Sequence, residues 1–296
     1  MSTADPVIGL LHPGEMGAAV GSVLRGSGRQ VLWASSGRGP DTARRAAAAD
    51  LSDAGTLGEL LSGSDVVLSI CPPHAALEVA RTAAGFGGVF VDANAVSPAT
   101  ARAIAEVVEA GGARAVDGGI VGPPPVPGGT STRLYLSGPS APGVAGLFAG
   151  TAVQPRIVSD RVGSASAVKM AYAGWTKGTA ALLLALRALA RDECVEDALL
   201  AEWRDSLPEL PEQSVRAARS AAAKGWRWVG EMEEIASSLA SAGLPAGFHQ
   251  AAAEIFARFP RSPAGDGEAG LDQALAVLTS RPAAPPPGPA ARRTPR

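Results

Sequence analysis

The stretch Val7-Ile-Gly-Leu-Leu-His-Pro-Gly-Glu-Met-Gly17 decides how this chain is read. Val7–Leu11 is apolar and short, as in a buried strand, and it runs into a glycine-bearing turn that opens a helix. Such a turn presents free backbone N–H groups at a helix N-terminus, where a phosphate is stabilised, and glycine lets the backbone approach it closely. Gly14 and Gly17 fit the second and third positions of a G-x-G-x-x-G fingerprint, and His12 stands at the first. His12, Pro13, Gly14, Glu15, Met16 and Gly17 are therefore candidates for a dinucleotide site, with a plain structural turn as the alternative.

Working outward, residues 6 to about 160 alternate strand-like and helix-like segments. Apolar runs recur at Gln30–Ala34, Asp65–Cys71, Gly88–Asp92 and Arg114–Asp117, with Thr132–Ser137 and Gln154–Val158 beyond them. Ala-rich helical stretches lie between, at Thr42–Ala49, His74–Ala84 and Pro98–Ala110. Short, continuous apolar strands separated by helices imply a parallel sheet covered on both faces. From Gly163 to about Arg191 no proline interrupts a helix that would span roughly 43 Å at 1.5 Å per residue. Helical segments then follow at Glu196–Ser206, Glu212–Ala223, Trp226–Ala242, Gly247–Arg258 and Leu271–Ser280. The expected class is α/β: a Rossmann-type doubly wound parallel sheet over residues 1–162, then a long interdomain helix and an all-helical domain over 163–280. The Pro/Ala/Arg stretch 281–296 has little to bury and is expected to be disordered.

The second apolar run leads into Ser35-Ser-Gly-Arg38, where an NAD-preferring site carries an acid for the ribose 2′-hydroxyl. No acid follows before Asp41, so Ser35, Ser36 and Arg38 are expected to receive a 2′-phosphate, and the cofactor is expected to be NADP(H). Charge is nearly balanced, 26 basic against 28 acidic residues, which argues against a nucleic-acid partner or a polybasic membrane surface. Two cysteines and three scattered histidines give neither a disulfide framework nor a metal site. The longest apolar stretch, Ala180–Leu186, is far below the roughly 20 residues of a membrane span, and no basic segment precedes Val7, so a cytoplasmic protein is expected. Only Lys169, Lys177 and Lys224 are lysines; where arginine is the habitual cation, a lysine can be kept for releasing a proton.

Five further motifs join the first turn: Cys71-Pro-Pro73, Asp92-Ala-Asn94 running to Pro98, Asp117-Gly-Gly-Ile-Val-Gly122, Gly163 six residues before Lys169, and Trp226 to Ile235. Together these resemble the β-hydroxyacid dehydrogenase group, with 3-hydroxyisobutyrate and 6-phosphogluconate dehydrogenases and, more distantly, imine reductases. The helical half looks like an uncharacterised subgroup. The resemblance implies Lys169 as the catalytic lysine facing the nicotinamide, where burial lowers its pKa and lets it carry the hydroxyl proton; the alternative is a lysine snorkelling from an interdomain helix. It also implies cofactor contacts at Cys71, Pro72, Pro73 and Asn94, and a homodimer formed through the helical domain.

Departures from the group's pattern bear on substrate. A usual asparagine four residues after the lysine is Ala173, and a usual serine falls on Val121, followed by Gly122 and Pro123. A usual helical-domain lysine falls, by spacing from Trp226, on Glu233. A small carboxylate would lose much of its recognition, and Glu233 would favour a neutral or cationic substrate, unless it is simply solvated. Tyr172 and Trp175 either line the site or pack in a core, and His249 is either structural or a proton donor. The expected function is an NADP(H)-dependent oxidoreductase acting on a small carbonyl or alcohol. Imine reduction is the enzymatic alternative, and a non-catalytic cofactor-binding protein is the alternative of another class.

Overall fold

In the computed structural model, which describes residues 5–261 and 269–280, the first two strands grow from short apolar triplets and the third is a polar pair of residues. They are β1 (Ile8–Leu10), β2 (Val31–Trp33) and β3 (Ser52–Asp53), followed by β4 (Val66–Ser69), β5 (Val89–Asp92), β6 (Arg114–Val121), β7 (Thr132–Ser137) and β8 (Val153–Ser159). Their order in one sheet is β3-β2-β1-β4-β5-β6-β7-β8, with β1 to β6 mutually parallel, β7 antiparallel to β6, and β8 parallel to β7. The first six follow the order of a dinucleotide-binding doubly wound sheet, whose ligands lie outside the C-terminal strand ends where the order reverses, here between β1 and β4.

Helices α1 (Glu15–Gly26), α2 (Pro40–Ala48), α3 (Leu57–Ser62), α4 (Ala76–Thr82), α5 (Pro98–Ala110) and α6 (Ala141–Leu147) pack against this sheet. Two apolar clusters result. Ile8, Leu10, Val31, Leu68, Val91 and Leu136 with residues of α1 and α6 make one; Val67, Phe90, Leu60, Ile104 and Val108 make the other. Alternate residues along β4 and β5 enter different clusters, as the two-residue period of a strand requires. This is the α/β architecture expected from the sequence, with β3, α3 and α6 added and β6 carried four residues further, through Gly118 and Gly119 to Val121.

Helix α7 (Ser164–Asp192) realises the proline-free stretch, and α8 (Glu196–Ser206), α9 (Leu210–Lys224), α10 (Val229–Ser241), α11 (Gly247–Ala257) and α12 (Ala269–Thr279) follow. The chain divides into two compact units. One holds the described residues to Thr179 with Arg227–Ala253; the other holds Ala180–Trp226 with the described residues from Glu254. Within the second, the buried Arg187 donates to Glu196 and to Ser214 Oγ at 2.7 Å, which is how a buried guanidinium is tolerated. Arg191 joins Glu196 to Asp272 at 2.9 Å in each contact, tying α7, α8 and α12 together. The segment 281–296 lies outside the described residues. Among the described residues no helix is long and apolar enough to cross a membrane.

Candidate functional site

The turn after β1 is held by a hydrogen bond from Gly14 N to His12 O at 2.8 Å. At Gly17 a Cβ would stand 2.3 Å from His12 O, so only glycine lets α1 close onto this turn; at Gly14 a Cβ would meet nothing within 4 Å, leaving the backbone open to a ligand. Two arginines brace the turn from the next unit of the fold. Arg38 Nη2 donates to Leu11 O and Arg45 Nε to Pro13 O, each at 3.1 Å. Arg45 lies on α2 outside any local motif, and sequence reasoning missed it. His12 is driven down to about 4 by burial and then by Arg38, so it is neutral at ordinary pH. Met16 packs on the core, while Glu15 is exposed and pairs with Arg227 at 3.1 Å.

Beyond β2, Ser36 N donates to Gly55 O at 2.9 Å, and Ser35 N to the Asp53 carboxylate at 3.2 Å. Asp53 also accepts from Gly55 N at 2.8 Å. The Ser35 hydroxyl, then the Gly55 N–H, hold the Asp53 carboxyl below its ordinary range. The region thus holds two exposed arginine-bearing surfaces and one carboxylate, which comes from β3 and was invisible in the linear order. These residues fit a dinucleotide: an open glycine turn at a helix N-terminus, with cations at the end of β2.

At the ends of β4 and β5 the amide of Asn94 is spent inside the protein. Its Oδ1 accepts from Cys71 N at 2.5 Å, and its Nδ2 donates to Ser69 Oγ at 3.1 Å and to Asp92 Oδ1. Asn94 therefore acts as a strut that fixes the Cys71-Pro72-Pro73 turn at the C-terminal edge of the sheet. Cys71 is pushed up to about 12 by burial and then by Asp92, which keeps it a thiol. Asp92 is itself raised to about 7, chiefly by burial.

Lys169 sits beside the end of β6. Gly119 makes this approach possible, because a Cβ there would stand 3.0 Å from both Ala165 O and Lys169 Cβ. The start of α7 is pinned by Asp117, which accepts from Gly163 N at 2.9 Å, Ser166 N at 3.0 Å and Ser166 Oγ at 2.6 Å. Lys169 Nζ donates to Ile120 O at 2.8 Å, and burial lowers its pKa, opposed by the Glu231 charge and aided by Lys177. Val121 is buried; Gly122 has φ +121°, with Ser131 O 2.3 Å from where a Cβ would be. Pro123 is exposed, and its carbonyl accepts from Thr132 Oγ1 at 2.7 Å.

Several substrate-side expectations land elsewhere. Ala173 is buried in helix packing, whereas Tyr172 and Trp175 are exposed, Trp175 at 74%. Glu233 points to the exposed side of α10, because two residues rotate a helix by about 200° from the face that Glu231 uses. Glu231 instead pairs with Lys177, whose ammonium lies 5.6 Å from the Trp228 ring. Glu234 accepts from Ser97 N at 2.6 Å and Thr100 Oγ1 at 3.0 Å, fastening α10 to the N-terminus of α5. His249 has a structural contact, with Nε2 3.1 Å from Gly174 O.

A doubly wound sheet with a glycine turn at its first crossover, followed by a long helix and a helical region, is the 3-hydroxyacid dehydrogenase fold. Residues 190–259 match a family model described as Domain of unknown function (DUF1932). The uncharacterized 28.5 kDa protein in the 7S RNA 5′ region of Methanothermus fervidus is 30% identical over 143 residues, 48% of this chain and 54% of that protein. The chain thus spans about half the length of the curated relative it matches. A conserved protein of unknown function, reported as structurally similar to 3-hydroxyacid dehydrogenases, superposes with a TM-score of 0.63 at 26% identity, over 85% of this chain and 99% of that one. Mycobacterium tuberculosis 3-hydroxyisobutyrate dehydrogenase gives 0.69 at 18% identity, over 92% and 99%. A reductive aminase from Aspergillus terreus in complex with NADPH gives 0.56 at 21%, over 86% and 93%. The chain therefore shares the fold of these dehydrogenases and reductases.

Proposed function

We propose that the protein is an NADP(H)-dependent oxidoreductase that interconverts a small organic carbonyl and its alcohol, with Lys169 as the proton donor and acceptor. The observation that carries this reading is the partly buried Lys169 amine, held against Ile120 O at 2.8 Å at the C-terminal edge of the sheet. Residues 12–17 would hold the pyrophosphate. Ser35, Ser36, Arg38 and Arg45 would receive the 2′-phosphate, and Cys71-Pro72-Pro73 would border the nicotinamide end. Bound there, the nicotinamide supplies the hydride. Burial favours the neutral amine, so Lys169 can accept a hydroxyl proton in oxidation or return one to the oxygen in reduction. The fold shared with the M. tuberculosis dehydrogenase and the NADPH-bound A. terreus reductive aminase supports this reading.

Val121 and Ala173 leave no hydroxyl or amide for a substrate carboxylate, which supports a neutral substrate. A second reading, reduction of a C=N bond, is favoured by the largely buried Glu231, an anion beside which an iminium would be stabilised. We also propose a homodimer: α7 leaves Tyr172, Trp175, Leu182, Leu186 and Leu189 exposed at helical steps, a stripe a second copy would cover.

The test is a fluorescence titration with NADPH and NADH, then a panel of ketones, aldehydes and imines with Lys169→Ala as control. NADPH should bind at micromolar levels, near −8 kcal/mol. Lys169→Ala should keep binding and lose about 100-fold or more in turnover. Failure of both nucleotides to bind at roughly tens of micromolar, near −6 kcal/mol, would refute the enzyme reading. Binding with no turnover on any substrate would favour the non-catalytic alternative.

A further inference from the structure

Helix α10 and the residues just before it meet the C-terminal edge of the sheet at two places. On one side Glu234 accepts from Ser97 N and Thr100 Oγ1 at the start of α5, and α10 packs on the Pro73–Ala75 turn that follows β4. On the other side Arg227, two residues before α10, donates from Nη1 to Glu15 Oε2 at 3.1 Å, at the start of α1. α1 follows β1, and β1 and β4 are neighbours in the sheet. The two attachments therefore stand on either side of the point where the strand order reverses, which is where a doubly wound sheet takes its ligand.

Glu15 is at odds with a phosphate in this position. Its carboxylate belongs to the first residue of α1, directly after Gly14, whose open backbone would admit a pyrophosphate, and two anions there repel each other. Arg227 removes that conflict. Its pair with Glu15 is exposed on both sides, at 54% and 70%, so water screens it and it holds weakly. The backbone of Arg227, in contrast, is kept near the turn by the attachment of α10. The side chain can thus pass from one anion to another without any movement of the fold. We propose that Arg227 is a binding residue for the cofactor pyrophosphate, paired with Glu15 in this structure and handed to the phosphates when the dinucleotide arrives. The proposal rests on the dinucleotide reading of residues 12–17. A phosphate presents two anionic oxygens in the spacing of the guanidinium fork and carries a full charge at the positive end of α1, so it outcompetes an exposed carboxylate. Glu15 is then a placeholder that keeps Arg227 beside the turn. Arg227 differs from Arg38 in what it reads: the pyrophosphate is common to NADPH and NADH, whereas the 2′-phosphate is not.

Calorimetric titration of the full chain with NADPH, NADH and ADP-ribose tests this; heat is the better signal here because Trp226 and Trp228 flank the substituted residue. Arg227→Gln should raise the Kd of all three ligands alike, by about tenfold, since each carries the pyrophosphate and each loses a charge-assisted contact. Glu15→Gln should tighten all three by about threefold, because a competing anion is gone. The double variant separates a ligand contact from mere neutralisation. In the Glu15→Gln background, Arg227→Gln should still cost about tenfold. If it costs nothing there, Arg227 serves only to cancel Glu15 and the proposal is overturned. A loss confined to NADPH would overturn it as well, by placing Arg227 on the 2′-phosphate. If the parent binds nucleotide and Arg227→Gln binds it equally well, the proposal falls and the cofactor reading stands; a parent that binds none of the three removes both. Thermal melts by circular dichroism check that Arg227→Gln folds as the parent does. Where it does not, Arg227→Lys decides: it keeps the charge without the fork, and unchanged affinity in place of a loss of about threefold overturns the proposal.

Discussion

Replacing Asp92 by asparagine should remove a fall in stability expected of the parent as pH rises from 5 to 8. Asp92 closes β5 in full burial. Its Oδ1 accepts from Asn94 Nδ2, and its Oδ2 is buried without a hydrogen-bond partner among the described residues. Burial, with the carboxylates of Asp117 and Glu234 pushing the same way, raises it from 3.8 to about 7. The folded chain therefore keeps a proton on Asp92 through a range in which the unfolded chain has released it. Stability from this group is present at low pH and is lost as pH rises from about 4 to 7, the reverse of a salt-bridged acid. At about 1.4 kcal/mol per unit, the loss between pH 5 and 8 is about 3 kcal/mol. Asparagine is uncharged throughout and resembles the protonated acid in shape. The variant should match the parent near pH 5 and exceed it at pH 8 by about 2–3 kcal/mol, or roughly 5–10 °C in Tm for a unit of this size. Thermal melts of both proteins across the range provide the test, and subtracting one curve from the other removes every other titrating group. Parallel curves would show that Asp92 is ionised in the folded protein.

Gly17→Ala sets a methyl 2.3 Å from His12 O, a backbone atom that cannot turn aside; it should cost about 1–3 kcal/mol in a thermal melt and weaken NADPH in titration. Arg38→Ala should raise the NADPH Kd by about tenfold or more and the NADH Kd by less, since it loses a charge-assisted hydrogen bond worth about 1.5–3 kcal/mol to the 2′-phosphate, while its brace on Leu11 O serves both nucleotides; equal losses for both would remove the 2′-phosphate assignment. His12→Gln should remove an acid-side loss of stability. The folded state excludes a proton from His12 until about pH 4 while the unfolded chain takes one up near 6.5, so the parent loses stability as pH falls through that interval. With the ring partly solvated, about 1–2 kcal/mol is expected between pH 7 and 4, read as the difference between the two denaturation curves.

The strands at the centre of the sheet were legible because both faces of them are covered. Val66–Ser69 and Val89–Asp92 are buried at every position, and a strand with no solvent side has no choice but a continuous apolar run. β3 lies at the edge, is two residues long and is polar, so no run marks it; α3 did carry a readable signal, the capping box of Thr56 and Glu59. α6 is hidden by Pro142, Gly143 and Gly146, residues whose helix propensity packing overrides. In the site, the local motif at residues 12–17 was visible because one strand and one helix build it. Arg45 and Asp53 were not, since sheet pairing and a helix end bring them to the turn. Motif spacing from Trp226 named Glu233, but spacing along the chain carries no helical phase across Gly225–Trp228, a 3-10 turn in which each residue turns about 120° and not 100°. Counted instead from the buried Met232, Ile235 and Ala236, the phase places Glu233 outward and leaves Glu231 and Glu234 flanking the apolar stripe. Those are the two carboxylates that the structure puts to use, one on Lys177 and one on the N-terminus of α5. The phase of the helix, which motif spacing does not carry, decides which carboxylates of α10 flank its apolar stripe.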